Sequence, residues 1–275
     1  MDGIKQKALV WISIAVIVGA FPMLGIGAEE RIFLSQEEYG WIGEKIFENE
    51  CGGKNENLVA WNDGEEFMSL GIGHFIWYPK DWNGPFDESF PKYLDFIKRE
   101  DVGVPDWLNG QGTPCCPWAR REEFLRNLND PKMSDLKKLM IETKDLQIHF
   151  IVERLKSALP KMIETVPDES KSHVEQQFYR VVSTSAGVYA LIDYVNFCGE
   201  GTLITERYKG QGWGLLQVLE RMKGIENSMT PAVEEFAQAA EEILTERVNN
   251  SPPARNEQRF LPGWKTRVNT YGETQ

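Results

Sequence analysis

The sequence predicts a mainly α protein of the α+β class, with one small β hairpin near the N-terminus. Three observations lead there. Apolar residues recur at helical spacing in most segments beyond residue 35. Only one stretch, punctuated by Gly and Asn, has strand character. Hydrophobic residues at 41% and charged residues at 26% of 275 positions are ordinary globular usage. A chain of this length buries roughly 70% of its unfolded surface or more and suits one large domain or two small ones.

The elements follow in order. Leu34-Ser35-Gln36-Glu37-Glu38 reads as a helix start, because Ser35 can cap and Glu38, three residues on, completes a capping box. Tyr39, Ile42, Ile46 and Phe47 then repeat at helical spacing, and Gly52-Gly53 ends the helix. Residues 54–78 contain the strand-like stretch Phe67 to Tyr78. Residues 79–118 are rich in Pro, Gly and Trp and read as a long ordered loop or a short-helix insertion. Residues 119–164 are mostly helical, with Glu122 to Leu128 followed by Asp135 to Leu159, which Pro160 should end. One further helix is expected over 171–197, with Val188, Leu191, Ile192 and Val195 on one face. A short helix, Leu215 to Lys223, follows a Gly-rich turn, and Thr230-Pro231 opens a helix to about Val248. The tail holds Pro252-Pro253 and Phe260-Leu261-Pro262-Gly263-Trp264. No internal repeat is visible.

Residues 1–28 stand apart. Lys5 and Lys7 form a positive head, Ala8 to Leu24 is almost wholly apolar, and Gly25-Ile26-Gly27-Ala28 is mostly small. This is the layout of a secretory signal peptide cleaved near Ala28, or of an uncleaved N-terminal anchor. The chain is therefore expected to be exported, periplasmic or secreted, touching a membrane only through that segment. A net charge of −12 repels phosphate backbones and argues against nucleic-acid partners. Nine Trp, eight Tyr and fourteen Phe are a high aromatic load, used by cores and by sugar-binding clefts alike.

Export would permit disulfides. Cys51, Cys115, Cys116 and Cys198 allow three pairings, and spacing does not choose among them. No CxxC is present and His74, His149 and His173 are far from the cysteines in sequence, so no metal and no cofactor is expected.

Glu50 is the leading candidate for chemistry. It lies at the end of the first helix, four residues after Ile46, on the apolar stripe. A carboxyl held against apolar surface has its charged form disfavoured, and a raised carboxyl is a general acid near neutral pH. Trp61-Asn62-Asp63-Gly64-Glu65-Glu66-Phe67-Met68-Ser69-Leu70-Gly71-Ile72-Gly73-His74 follows. His74 alternates onto the face of Met68, Leu70 and Ile72 and is expected to be a buried, hydrogen-bonded histidine.

A helix-terminal Glu, an acid on a turn and Ser-Leu-Gly-Ile-Gly-His on a strand resemble the phage-type lysozymes. Aligned back from His74, Ser69 takes that family's Thr/Ser position and Asp63 its Asp position, with Glu65 and Glu66 as rival second carboxylates. A second block, Ala190-Leu191-Ile192-Asp193-Tyr194-Val195-Asn196-Phe197-Cys198-Gly199-Glu200-Gly201, resembles the family's central helix. Trp213-Gly214-Leu215-Leu216-Gln217 stands for its next short helix, and Gly263-Trp264-Lys265-Thr266-Arg267 resembles its closing segment. These blocks cover most of 36–78 and 185–268, while residues 79–130 have no counterpart. Glu200 followed by Gly214-Leu215-Leu216-Gln217 also resembles lytic transglycosylases, although Gly201 stands where their Glu-Ser pair needs Ser.

The resemblance implies one lysozyme-like domain over 29–275 with an insertion at about 79–130, a helical lobe, and the hairpin as one wall of a cleft. It implies an exported glycoside hydrolase that cleaves a β-1,4-linked aminosugar polymer, most simply the peptidoglycan of a cell wall. Glu50 would be the acid, Asp63 would stabilise positive charge, and Ser69 would hold water. Trp61, Trp77, Tyr78, Asn196, Glu200, Gln217 and Arg267 would line the polysaccharide. A disulfide between Cys51 and Cys198 would brace the cleft, and two buried thiols would fit equally well. The acidic surface suits a cationic chitosan-like polymer better, so a chitosanase-like or transglycosylase-like enzyme stays open, as does a non-catalytic glycan-binding envelope protein.

Overall fold

A computed structural model describes residues 32–272 apart from 83, 85, 86, 111–113, 205 and 225–229, so the export segment expected over 1–28 lies outside the described residues. The first helix, α1 (Gln36–Cys51), starts as its sequence requires. Ser35 Oγ accepts from the Glu38 amide at 3.2 Å and Glu38 Oε2 accepts from the Ser35 amide at 2.8 Å. Gly52, at φ +59°, turns the chain out of the helix. Ile42, Ile46, Phe47 and Cys51 are its buried stripe, and each large apolar side chain so buried contributes about 1.5–3 kcal/mol.

The β region is a three-stranded antiparallel sheet of β1 (Val59–Ala60), β2 (Met68–Leu70) and β3 (Phe75–Trp77) in sequential order. Met68 pairs with Trp77 and Leu70 with Phe75, and all four are fully buried on the core face. Ser69 pairs with Ala60 and Ile76 on the opposite, more open face. The stretch expected as one strand is thus two strands joined by the turn Gly71–His74.

Residues 79–130 are built into this lobe. The Ile76 amide donates to Ser89 Oγ at 2.9 Å, the Ser89 amide returns to the Ile76 carbonyl at 3.1 Å, and the Tyr78 amide donates to Glu88 at 2.8 Å. Together with Cys116 these groups satisfy the outer edge of β3. Helix α2 (Phe90–Arg99) sets Phe90 against Trp77 and stacks Tyr93 on Phe75. The short helix α3 (Arg121–Arg126) packs Phe124 against Trp61 and Trp118.

Two expected helices divide. The segment expected over 135–159 is α4 (Pro131–Glu142) and α5 (Lys144–Thr165), separated at Thr143. Buried Thr143 turns its hydroxyl back on the Leu139 carbonyl at 2.7 Å, while its own carbonyl takes the Tyr93 hydroxyl. α5 also runs through Pro160, which lies on the exposed side of the helix with Glu153, Ser157 and Glu164. The segment expected over 171–197 is α6 (Asp168–Val181) and α7 (Ser185–Cys198), bent by 120°. Thr184 caps α7 through the Gly187 amide at 3.1 Å. A Cβ on Gly187 would stand 1.7 Å from the Val181 carbonyl oxygen, so only glycine fits this corner.

The ribbon β4 (Arg207–Tyr208) and β5 (Gln211–Gly212) leads to α8 (Leu215–Arg221), α9 (Ala232–Asn250) and α10 (Leu261–Asn269). α7 is buried on nearly every side and forms the axis of this helical lobe. The mainly α, α+β class read from the sequence is the class observed. No single helix among the described residues is long and apolar enough to cross a membrane.

Candidate functional site

Glu50 lies in the last turn of α1 with its side chain 13% exposed. Its surroundings are ionic where an apolar pocket was expected. Arg267 of α10 donates through Nη2 to Oε1 at 2.5 Å, and His74 Nδ1 stands 3.3 Å from Oε2. The apolar stripe buries the carboxyl, and these two bases supply the partners that burial demands.

Arg267 is itself held by Asp193, which is 1% exposed on α7. Nε and Nη2 each reach an Asp193 oxygen at 2.8 Å. The Tyr271 hydroxyl donates to Asp193 at 2.7 Å and Asn49 Nδ2 at 3.0 Å, and Asn49 also donates to the Tyr189 hydroxyl at 2.7 Å. The guanidinium lies 4.8 Å from the Phe197 ring centroid. Burial works against the Arg267 charge, but Asp193 and Glu50 outweigh it and raise its pKa beyond the usual arginine value. Burial, then Asp193, raises Tyr271 well above a normal phenol.

His74 is a correction. It is 37% exposed on its side chain and adopts φ +45°, so it is not the buried strand histidine that alternation implied. The reason is the turn. The Gly71 amide donates to the Leu58 carbonyl at 2.7 Å and the Ile72 amide to Gln147 Oε1 at 2.8 Å. These bonds hold Gly71 to Gly73 out of the strand and swing His74 towards Glu50.

The other expected residues divide. Asp63 is 94% exposed on its turn, with Arg121 Nη1 at 3.6 Å, and no hydrogen bond or ion pair among the described residues joins it to Glu50. Glu65 accepts from Asn62 at 3.0 Å, and Glu66 is exposed. Ser69 is buried, on the sheet face away from the core. Trp61, Trp77 and Tyr78 are also buried: Trp61 donates to the Glu65 carbonyl, Trp77 donates to the Pro114 carbonyl, and Tyr78 is backed by Phe67. Their rings pack the lobe and present no face for a sugar. Trp82, 48% exposed, is the surface member of that cluster.

Gln217 is spent within the protein, accepting from the Gly214 amide and donating to the Gly201 carbonyl, so it braces a loop. Asn196 is half-buried on α7, and its Nδ2 is a buried donor without a partner among the described residues. Glu200 pairs with Lys161 at 3.0 Å. Near it, burial and then the Glu200 charge push the Glu206 carboxyl above the usual range, against Arg247.

Cys51 and Cys198 are buried thiols, and no disulfide joins any of the four cysteines. Burial, then the Glu50 charge, pushes Cys51 to about 11, and burial pushes Cys198 to about 12. Among the described residues no group of three His, Cys, Asp or Glu converges as metal ligands.

Asp193, Asn49, Tyr189 and Tyr271 are the residues that sequence reasoning missed. One signal was present: Asp193 is a lone acid inside Val188-Tyr189-Ala190-Leu191-Ile192-Asp193-Tyr194-Val195. Asn49, Tyr189 and Tyr271 give no comparable signal. Chemically, the cluster offers one carboxyl between a fixed guanidinium and an imidazole able to take or return a proton. No protein-family model, no curated protein and no solved structure matches the chain.

Proposed function

We propose that the chain is an exported, lysozyme-like glycoside hydrolase that cleaves a β-1,4-linked aminosugar polymer, with peptidoglycan as the first substrate to test. The observation that carries this reading is Glu50, a helix-terminal carboxyl gripped by Arg267 and reached by His74 across the sheet turn. His74 Nδ1, 3.3 Å from Glu50 Oε2, stands within reach to pass a proton to the carboxyl. Glu50 then protonates the glycosidic oxygen as the C1–O bond breaks. Water adds to the resulting oxocarbenium carbon, and its proton returns to Glu50. Arg267 fixes the carboxyl and favours its anionic form once the proton has left. Asp63, exposed on the turn, is the acid available to stabilise the cationic sugar, and Ser69, buried on the sheet face away from the core, is the hydroxyl that would hold a water there.

A second reading rests on the same ion pair. A guanidinium bonded to Glu50 favours the carboxylate over the acid, which suits a glycan-binding envelope protein that does not turn over its ligand.

The test incubates the full-length chain with peptidoglycan and, separately, with chitosan, and identifies released fragments by mass. Glu50→Gln, Glu200→Gln and Glu206→Gln are compared with the parent. Release lost only in Glu50→Gln supports the hydrolase reading, and the polymer cleaved names the substrate. Loss confined to Glu200→Gln or Glu206→Gln moves the chemistry to the loop after α7. Binding without any release leaves the second reading.

A further inference from the structure

Away from Glu50, α2 and α5 face each other across a cleft of about 640 Å³, within the range of small-ligand sites. α5 contributes Leu146, His149, Phe150 and Arg154 at helical spacing, and α2 contributes Phe96 and Arg99. Phe96 and Phe150 lie 5.5 Å apart as a tilted aromatic floor, and His149 is held by stacking on Tyr39 at 4.0 Å. Neither guanidinium has a hydrogen-bond or ion-pair partner among the described residues, whereas Arg121, Arg180, Arg221, Arg247 and Arg267 all do. α2 belongs to the segment outside the lysozyme resemblance, so that resemblance does not account for the cleft.

We propose that this cleft binds a small organic carboxylate with an apolar body, Arg154 gripping the carboxylate and Arg99 closing over it. Phe96 and Phe150 receive the apolar part. Arg154 supports this beyond its position. Burial disfavours its charge and lowers its pKa, and the charges of Asp87 and Glu200 offset that only in part. A desolvated guanidinium without an acceptor is costly, and a planar carboxylate matches its fork. The rim carboxylates choose between anions. Glu153 is engaged by Lys156 at 2.8 Å, while Glu100 borders the cleft. A monoanion meets less repulsion there than a phosphate dianion.

The test titrates the full-length chain with 4-phenylbutyrate by calorimetry, with 4-phenylbutanol and phenyl phosphate as the neutral and dianionic arms. The expected result is saturable binding of the carboxylate, weaker binding of the phosphate and none of the alcohol. Arg154→Gln should weaken carboxylate binding roughly ten- to a hundredfold, the range of a charged hydrogen bond. Glu50→Gln should leave it unchanged, which separates this site from the one proposed for glycan cleavage. The Arg154 side-chain Nε–Hε resonance of the parent should shift on saturation, a readout that needs no variant. No carboxylate binding, equal binding of the alcohol, or an Arg154→Gln variant that binds like the parent overturns the proposal.

Discussion

Arg267 and Asp193 meet through two hydrogen bonds of 2.8 Å, one from Nε and one from Nη2. The pair fastens α10 to the buried axis helix α7 and delivers the same guanidinium to Glu50. Asp193 therefore acts on Glu50 at one remove, as a positioning residue.

Removing the cation should cost more than removing the anion's charge. Arg267→Ala leaves Asp193, 1% exposed, without its counter-ion, which typically costs about 3–5 kcal/mol. Asp193→Asn keeps an oxygen for Arg267 and Tyr271 and should cost less. Urea unfolding of both variants checks the order. Equal losses would mean that the negative charge of Asp193, and not merely the oxygens it offers, holds the cluster.

Acid should destabilise the protein through Glu235 and Glu257. Burial alone would raise both, but the Lys223 and Gly224 amides with Arg180 lower Glu235, and Arg247 with Tyr208 lowers Glu257. A depressed carboxyl contributes stability that is full above its unfolded pKa of about 4.3 and is lost as pH falls through the folded value. Stability from these two groups should hold from neutral pH to about pH 5 and then decline. Glu257→Gln should flatten part of that decline, as measured by urea midpoints across the range.

Two glycine substitutions should have opposite signs. Gly187→Ala drives a methyl into the Val181 carbonyl at the α6–α7 corner and should cost about 3 kcal/mol or more. Gly40→Ala, inside α1 with open space around its Cβ, should gain roughly 0.5–1 kcal/mol. Thermal midpoints of the two variants test both. A neutral Gly187→Ala would mean that the corner opens at little cost.

Thiol reagents should distinguish one cysteine from three. Cys115 is exposed, while burial holds Cys51 at about 11 and Cys116 and Cys198 at about 12. At pH 8 the native chain should titrate one thiol rapidly and all four only in denaturant. Fast reaction of a second thiol would place one of the buried three at the surface.

The parts of the fold legible in the sequence were those fixed by local chemistry. The Ser35–Glu38 capping box and the stripe Ile42, Ile46, Phe47 set α1 without reference to anything distant. The failures were tertiary. Pro160 stayed helical because its side of α5 faces water, and the break between α4 and α5 falls at Thr143, a buried residue whose carbonyl takes the Tyr93 hydroxyl of α2 as well as the Gln147 amide. At the site, Glu50 and Arg267 were readable as residues but not as partners. His74 was misread because period-two alternation holds only while the chain is a strand, and Gln147 ends that strand from 75 positions away.

The grip on Glu50 joins positions 217 apart in the chain. A polypeptide emerging from the ribosome carries its carboxyl 217 residues before its guanidinium. Until α10 docks, Glu50 has His74 but no fixed cation, and Asp193 is an uncompensated charge within α7. Assembly of the site therefore waits for α10 to be made and docked. A chain interrupted before residue 261 would hold every other member of the cluster except Tyr271, yet leave its carboxylates unclamped and its helical lobe open to proteolysis.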